Sequence, residues 1–578
     1  MSTFMSNSHS TKSSVSFDEI ECMPIDIPRW SAFVSLEKMR DSNNSDTNSS
    51  CMSEYGVVNP VYDMPICFVP AKTGENESKN HTLRQHNTFS FLCLQWFGLL
   101  VSTACNGFLE GFLDQAFFPL LAAYLGFSRK QFVAVYHLAQ LCGTLTLFFG
   151  IISDYYPICG LHRKPYILGA WIFSYFLVLA LLVVVVVDDS AQYQLSNFRT
   201  YHRGILYVLL SIGISWSASI VSVTSLACVL EASHNKTLQG RAMTTIEFLA
   251  VKTLSRAFGI ASSTFVLDYN GNLLNITSSA SLKTVLIIMG VNTLIPIPTV
   301  LFGMPEEKCA PQNRIWKTTG SFKAHFRFMW TILQEQHNYH LLLITCCAIL
   351  LNDFTFNVAN DAVIYWAGIT PKMQILNLVI RYLWMAGTTI LYRFYLINTS
   401  WKDLGIISTT LFVVIGLIAS LPVVFNSIRN HIYFTCIISM QGIPQALMDI
   451  IFYLPLVEIT PYGLEASLVG IVEGFQVLAR LAIETYSFRI SETRSYTKAE
   501  LIHDAAPTHV AIMLLLLGNA LINSLAIAPM QYLSPKQVPI TSDYSSLPRN
   551  ARNIRAAGIV LLYLVLFMFT LVANGLLI

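Results

Sequence analysis

The sequence predicts an all-α integral membrane protein, built from two six-helix bundles and one additional transmembrane helix near the carboxyl terminus. Composition is the first observation behind this prediction: the 578 residues are 53% hydrophobic and only 12% charged. A soluble globular chain carries about 25% charged residues. The mean hydropathy of +0.52 is too high for a chain of this length to have a single buried core. Apolar segments long enough to cross roughly 30 Å of hydrocarbon recur along the chain.

Segment boundaries follow from the composition along the chain. The first segment is acidic, rich in Ser and Asn, and has no apolar run that could span a membrane, so it resembles neither a transit peptide nor a signal peptide. We expect six segments: a disordered cytosolic tail, a first bundle, a basic cytosolic central loop, a second bundle, a cytosolic linker and the additional helix. Their expected ranges are 1–88, 89–303, 304–338, 339–530, 531–555 and 556–578.

Several function classes are disfavoured by the same sequence. The net charge of +2 gives no reason to expect nucleic-acid binding, and the twelve cysteines show no metal-ligand spacing. No phosphate-binding Walker segment, HExxH or Gly-x-Ser-x-Gly motif occurs. We therefore expect neither an enzyme nor a cofactor or metal. The expected partners are the lipid bilayer and a small-molecule substrate.

Charge in the loops predicts the orientation. With a cytosolic amino terminus, the inner loops hold more Lys and Arg than the outer loops, as the positive-inside rule requires. Asn275, in the sequon Asn-Ile-Thr, then falls on the outer side, where it can be glycosylated. The plasma membrane is the default location for this multi-pass protein.

The stretch "GIISDYYPICGLHRKPY", residues 150–166, places charges between two apolar segments. An aspartate at the end of one helix faces bases at the start of the next. Such a network can hold the cytosolic side closed in one state and separate in another. A plain interfacial cluster obeying the positive-inside rule is the alternative. The expected gating residues are Gly150, Asp154, Arg163, Lys164, Glu231 and Arg241.

The layout of two six-helix halves around a basic central loop is that of major facilitator transporters. Within that superfamily, the stretch at 150–166 resembles the second-to-third helix loop of the folate–biopterin transporter (BT1) family. Four further pieces resemble that family in order along the chain, at 117–131, 360–372, 387–404 and 454–473. The resemblance implies a facilitator fold and proton-coupled transport of folates or pterins. One departure is Ser225, which stands where the family usually has a helix 4 aspartate.

Charged residues inside the spans point to a central site. Each costs about 2.5–3.5 kcal/mol on insertion scales, so we expect these side chains to face the bundle interior. Helices 1 and 7 both carry polar residues at i, i+4 and i+8, at matching places in the two halves. The expected substrate or proton site comprises Glu110, Asp114, Arg256, Asp353, Asn357, Asp361, Arg381, Glu473 and Arg480.

Two of these assignments, Arg480 and Asp114, have structural alternatives, and so has Asp449, a further carboxylate inside a span. Arg480 and Glu484, four residues apart, fit a structural ion pair equally well. Asp114 is compatible with a position near the outer interface, because Pro119 follows closely. Asp449 is compatible with a helix-packing role.

The predicted function is secondary active transport of folate- or pterin-like molecules by alternating access, coupled to protons as a symporter. A facilitator for another solute, such as a sugar or amino acid, is the first alternative. The second is a membrane sensor or scaffold that keeps the fold without transport.

Overall fold

The structure is a computed structural model, which describes residues 91–92, 96–191, 198–266, 268–269, 276–277, 282–306, 322–397, 399–461, 463–493, 501, 506–533 and 549–576. The expected amino-terminal tail, 1–88, and the glycosylation candidate Asn275 lie outside the described residues. So do most of the linker and part of the central loop.

Helices make up nearly all of the described chain, and we number the thirteen long ones α1 to α13. Their ranges are α1 Phe97–Leu125, α2 Arg129–Tyr155, α3 Lys164–Ala191, α4 Phe198–Ala232, α5 Leu238–Val266, α6 Leu282–Gly303, α7 in two pieces, Gln336–Asn352 and Asn357–Trp366, α8 Pro371–Leu396, α9 Trp401–Val424, α10 His431–Ile459, α11 Glu465–Thr493, α12 Ala506–Met530 and α13 Arg549–Gly575. Two short antiparallel strands, β1 Asp268–Tyr269 and β2 Ile276–Thr277, lie between α5 and α6.

Length and hydropathy make this a multi-pass membrane protein. In the described residues, eleven helices are long and apolar enough to cross a membrane, and the bent pair of α7 would make a twelfth. Helix α5 has 29 residues and packs along α1, but it carries Arg241, Glu247, Lys252 and Arg256, which lower its hydropathy. Its charges are therefore the ones that most need partners inside the protein.

Capping side chains fix where several helices begin. Ser128 and Gln131 form a capping box at the start of α2, where each side chain bonds to the other's backbone N–H. Thr370 caps α8, and Pro371 occupies its first turn. Asn430 caps α10 by accepting a hydrogen bond from Ile432 N at 2.8 Å. These caps satisfy backbone N–H groups that have no partner within their own helix.

Two features differ from the sequence-based expectation. Helix α7 breaks between Asn352 and Asn357 and bends by 46°, so Asp353, Asn357 and Asp361 do not share one continuous helical face. Part of the segment expected to be a loop is helical, at Phe322–Leu333. This helix contacts the end of α2, where the rings of Phe322 and Tyr155 lie 5.3 Å apart.

The helices alternate in direction, which defines two ends of the molecule. We call the end where α2 stops and α11 starts the Asp154 end, and the opposite end the Asp361 end. Helices α1 and α5 pack closely in the first bundle, while α2 against α11 and α5 against α8 join the two bundles. The additional helix α13 packs on both α2 and α11.

Candidate functional site

A buried network surrounds Arg163 at the Asp154 end. The guanidinium lies 2.6 Å from Asp154, 2.7 Å from Glu231 and 3.1 Å from Glu465. The side chains of Arg163, Asp154 and Glu465 are at most 3% exposed. Burial by itself would lower the pKa of Arg163, but the three carboxylates together raise that pKa well above its usual value. We call these four residues the Arg163 network. Its central guanidinium is charged.

The Arg163 network also joins the two bundles. Asp154, on α2, accepts hydrogen bonds from the backbone N–H groups of Ser467 at 2.7 Å and Ala466 at 3.3 Å, in the first turn of α11. The hydroxyl of Ser467 donates to the same carboxylate. First-turn N–H groups have no partner within their own helix, and a negative charge is favourable there. Asp154 therefore supplies an N-terminal cap to a helix of the opposite bundle.

Gly150 allows this approach. A Cβ placed on Gly150 would lie only 2.3 Å from the carbonyl oxygen of Ala466. Gly150 stands one helical turn before Asp154, so the glycine and the carboxylate act on the same contact between α2 and α11. Any larger residue at position 150 would push the two helices apart.

A second ion pair joins the bundles at the same end. Arg393, near the end of α8, lies 2.7 Å from Glu247, near the start of α5. The Glu247 side chain is 9% exposed and the Arg393 side chain 33%, so this contact is partly shielded from solvent. The Asp154 end is thus held together on two sides of the molecule.

Toward the opposite end, buried His137 of α2 lies 3.0 Å from the hydroxyl of Thr485 on α11, but the outermost ion pair is exposed. There, Arg129 at the start of α2 pairs with Asp361 on α7 at 3.4 Å, and the two side chains are 66% and 56% exposed. Exposed ion pairs contribute about 0–1 kcal/mol. The structure therefore shows a molecule that is closed at the Asp154 end by buried contacts.

The remaining expected gating residues have other contacts. Lys164 donates from Nζ to the carbonyl of Met304 at 2.8 Å. Glu306 holds the start of α3 by accepting backbone hydrogen bonds from His162, Arg163 and Lys164. Arg241 leaves two buried guanidinium nitrogens, Nε and Nη2, without a hydrogen-bond partner in the described chain. Neither Lys164 nor Arg241 contacts Asp154 in this state.

Sequence reasoning missed four residues at this end: Glu247, Glu306, Arg393 and Glu465. Only Glu465 had a usable signal, because it lies in the stretch "PYGLEA" that carries part of the family resemblance. The other three are far from their partners in sequence, so only packing brings them together.

A cavity of about 240 Å³ lies between the two bundles, and we call it the central cavity. Two glycines on successive turns of α1 shape the first wall of this cavity. A Cβ on Gly107 or Gly111 of α1 would lie 2.3 or 2.4 Å from the carbonyl oxygens of Lys252 or Arg256 on α5. Such small residues let two membrane helices approach closely. As a result, the charges of α1 and α5 meet at the cavity wall.

The charges of that wall are paired. Glu110 lies 3.2 Å from Lys252, and Asp114 lies 2.7 Å from Arg256. Asp114 also accepts hydrogen bonds from Tyr136 and Gln140, both at 3.2 Å. Asp114 lies in a π-helical turn, Leu113–Phe117, a local irregularity that is frequent at functional sites.

The opposite wall is formed by α10 and α11. Glu473 accepts hydrogen bonds from Ser222 at 3.2 Å and from Tyr453 at 3.3 Å. Arg480 lies 3.4 Å from Asp353 of α7. The expected alternative, an ion pair between Arg480 and Glu484, is not formed in the described chain.

A second cavity of about 400 Å³ lies inside the second bundle. Asp353 and Arg381 line it, and Arg381 donates to Gln445 at 2.9 Å. The two cavities share four lining residues: Tyr382, Gln445, Arg480 and Glu484. They are therefore adjacent chambers of one polar interior.

The structure brings most of the expected central residues together, but not all. Glu110, Asp114, Arg256, Glu473 and Arg480 line the central cavity, while Asp353 and Arg381 line the second one. Asn357 and Asp361 line neither. The bend of α7 directs Asp361 to the exposed end, where it meets Arg129. Asn357 accepts a hydrogen bond from Thr355 at 2.9 Å, beside the break.

Two serines of α4 lie near the central cavity, but only one of them lines it. Ser225 is 1% exposed, and its hydroxyl has no hydrogen-bond partner in the described chain. Ser222, one turn earlier on α4, lines the central cavity instead.

No group of three or more His, Cys, Asp or Glu side chains able to hold a metal ion occurs among the residues described.

Comparison with known proteins gives the fold. The sequence matches no protein-family model and no curated protein. Among solved structures it is similar to a major facilitator proton:xylose symporter bound to 6-bromo-6-deoxy-D-glucose, with 12% identity, a TM-score of 0.51, and coverage of 76% of this chain and 96% of that one. It is also similar to a D-xylose–proton symporter, with 13% identity, a TM-score of 0.52, and coverage of 76% of this chain and 98% of that one. A third similar structure is a bacterial homologue of the iron transporter ferroportin in an outward-facing state. It has 12% identity, a TM-score of 0.53, and coverage of 76% of this chain and 99% of that one. These likenesses show that the chain has the major facilitator fold.

Proposed function

We propose that this protein is a secondary transporter that moves a small polar solute across a membrane by alternating access. The observation that carries the proposal is a charged cavity between two bundles, closed at one end by buried inter-bundle contacts. Glu110, Asp114 and Arg256 of the first bundle face Glu473 and Arg480 of the second across it. Since the ion pairs that close the Asp154 end are polar, the bundles can rock about the cavity by exchanging those contacts.

The substrate we propose is folate- or pterin-like, and the coupling ion is the proton. The sequence resemblance to the folate–biopterin family supports the substrate class. Carboxylates such as Glu473 can accept two parallel N–H groups from an aminopyrimidine ring. They can also take up and release a proton inside a partly dry cavity. The solved sugar–proton symporters with the same fold keep a sugar as the second candidate substrate.

The orientation we propose has a cytosolic amino terminus, which makes the Asp154 end cytosolic. Closure at this end then corresponds to an outward-facing molecule, the state named for the ferroportin homologue. Charge distribution in the loops supports this orientation. Our proposed location remains the plasma membrane, with Asn275 on the outer side.

Transport is tested directly in proteoliposomes. We would measure uptake of radiolabelled folic acid, biopterin and D-xylose into vesicles containing the full chain, with and without an imposed proton gradient. The expected result is gradient-driven accumulation of one solute class that protein-free vesicles do not show. Glu473→Gln is expected to abolish accumulation while exchange of labelled for unlabelled substrate continues, because the exchange needs no net proton movement.

The control is Asp403→Asn, which changes a carboxylate at the start of α9, outside both cavities. Its uptake is expected to match the parent. If the protein binds a solute but neither accumulates nor exchanges it, the transport proposal fails and a sensor role replaces it.

A further inference from the structure

The central cavity has more carboxylates than bases. Its lining includes five carboxylates, Glu110, Asp114, Asp449, Glu473 and Glu484, and three bases, Lys252, Arg256 and Arg480. The second cavity is balanced, because its charged lining residues are two carboxylates, Asp353 and Glu484, and two bases, Arg381 and Arg480. A negative interior attracts cations and repels anionic groups.

Asp449 is the carboxylate that this arrangement leaves free. It lies on α10, partly buried, and lines the central cavity. Each of its acidic neighbours has a partner: Glu110 and Asp114 pair with bases, Glu473 accepts two hydrogen bonds, and Glu484 lies 3.5 Å from His137. Within the described chain, Asp449 has neither a hydrogen bond nor an ion pair. Because an unpaired charge in a span is costly, this position needs a ligand or a proton.

Gln476 gives an independent sign of a ligand. It lines the same cavity from α11 and is 7% exposed, yet its amide nitrogen has no hydrogen-bond partner in the described chain. A buried amide without a partner is unusual, since leaving a polar group unsatisfied costs about 1–3 kcal/mol. The nitrogen offers a donor to an acceptor atom on a bound molecule. Aromatic rings of Tyr382 and Tyr453 complete the surrounding wall.

We infer that the central cavity recognises a ligand through a planar amidine-type head, whose adjacent N–H groups bind Asp449, beside an acceptor atom that Gln476 can reach. Two parallel N–H groups match the two oxygens of a carboxylate, as in Arg–carboxylate pairs. The ring of Tyr453 suits a flat or cationic head, whereas the ring of Tyr382 already has the Arg256 guanidinium 5.2 Å from its centroid. An anionic group is disfavoured at this position.

This inference rests on the proposed function and narrows its substrate. A ligand with a free carboxylate tail, such as folate, would add negative charge to an interior that already has a surplus. A neutral or protonated ring with adjacent N–H donors would not. The cavity therefore favours the donor-rich head over the anionic tail.

The test uses three compounds of nearly equal shape and different charge. Benzamidine is cationic with adjacent N–H donors, benzamide is neutral, and benzoate is anionic. Binding of each to the purified full chain would be measured by isothermal titration. We expect benzamidine to bind at least about tenfold more tightly than benzamide, and benzoate not to bind. Asp449→Asn should weaken benzamidine binding by about tenfold or more, whereas Asp403→Asn should leave it unchanged.

Isocytosine is a neutral ring with adjacent N–H donors and a carbonyl. Its binding tests whether the site accepts a neutral heterocyclic head or requires a cationic one. Binding of either isocytosine or benzamidine supports the inference, and binding of neither overturns it. Benzoate binding as tight as that of benzamidine would also overturn it. The parent-chain series remains decisive if Asp449→Asn does not fold.

The two proposals fail separately. Uptake of folate without binding of either benzamidine or isocytosine would retain transport and reject the amidine-type head. Benzamidine preference without uptake or exchange of any solute would retain the binding site and reject transport.

Discussion

Arg163 shows how this protein stabilises a buried charge at the scale of one residue. Its guanidinium is 3% exposed and is held by three carboxylates from α2, α4 and α11. Removing one partner from a buried ion pair generally costs about 3–5 kcal/mol, because the other charge is left uncompensated. With three partners, Arg163 loses less when one is removed. The network can therefore weaken without collapsing, which suits the opening and closing that we propose for this end.

The first prediction concerns Asp154→Asn. The variant keeps the shape of the side chain but removes its charge from Arg163 and from the first turn of α11. We expect the closed Asp154 end to lose about 1–3 kcal/mol, the usual size of a coupling between states. In a chain with its native cysteines replaced, spin labels at Tyr156→Cys and Lys402→Cys, on opposite bundles, should then report a larger share of long distances. An unchanged distance distribution would remove Asp154 from the gate.

The second prediction concerns Gly150→Ala. The added Cβ would lie 2.3 Å from the Ala466 carbonyl, and overpacking of this kind costs about 1–3 kcal/mol. We expect the same two labels to move apart. The matched control is Gly169→Ala on α3, where an added Cβ meets nothing within 4 Å. Equal effects of the two substitutions would show that the close approach at Gly150 does not matter.

At the scale of elements, α13 binds both bundles. Tyr563 donates to the carbonyl of Thr144 on α2 at 2.9 Å, and its ring lies 5.0 Å from that of Phe475 on α11. Asn574 is fully buried and bonds both His137 of α2 and Thr485 of α11. Interhelical hydrogen bonds in membranes contribute about 1–2 kcal/mol in model peptides, and less in intact proteins. The additional helix is therefore an integral part of the fold.

The third prediction follows from that packing. Asn574→Ala should lower the free energy of unfolding by about 1 kcal/mol, because His137 and Thr485 lose a shared partner. Thermal unfolding of the purified protein would measure the change as a lower melting temperature. Val572→Ala, at a residue of the same helix that is 52% exposed, is the control and should change it little. A melting temperature equal to that of the control would contradict the role of Asn574.

At the scale of the whole molecule, one end depends on two separate inter-bundle clusters. The Arg163 network joins α2 to α11, and the Glu247–Arg393 pair joins α5 to α8. The opposite end has an exposed pair, Arg129 with Asp361. In the transport cycle that we propose, both clusters part when the bundles rock toward the other state. In that proposal the Asp154 end is the closed gate.

The fourth prediction tests the second cluster by charge reversal. Glu247→Arg or Arg393→Glu alone places like charges together across the bundles, so transport should fall by about tenfold, equivalent to about 1.4 kcal/mol. The double variant restores opposite charges and should recover part of the activity. Counterflow in proteoliposomes at matched expression would measure both effects. Failure of the double variant to exceed either single one would exclude a direct role for the pair.

The sequence by itself determined the class of the protein and the order of its helices. Whether an apolar segment is long enough to cross the hydrocarbon is a local property, so most spans could be located without any knowledge of packing. The same holds for Asp154 and Arg163, which are separated by one short loop between the end of α2 and the start of α3. Their proximity follows from chain connectivity alone.

Only the tertiary structure decided which distant residues meet. Glu465 reaches Arg163 from 302 positions away, and Arg393 meets Glu247 across the bundle interface. The polar stripe expected on helix 7 failed at Asp361 because α7 bends by 46° after Asn352, which breaks the helical periodicity that the expectation assumed. The free carboxylate of Asp449 is likewise invisible in sequence. A charge is paired or unpaired only by the neighbours that packing provides.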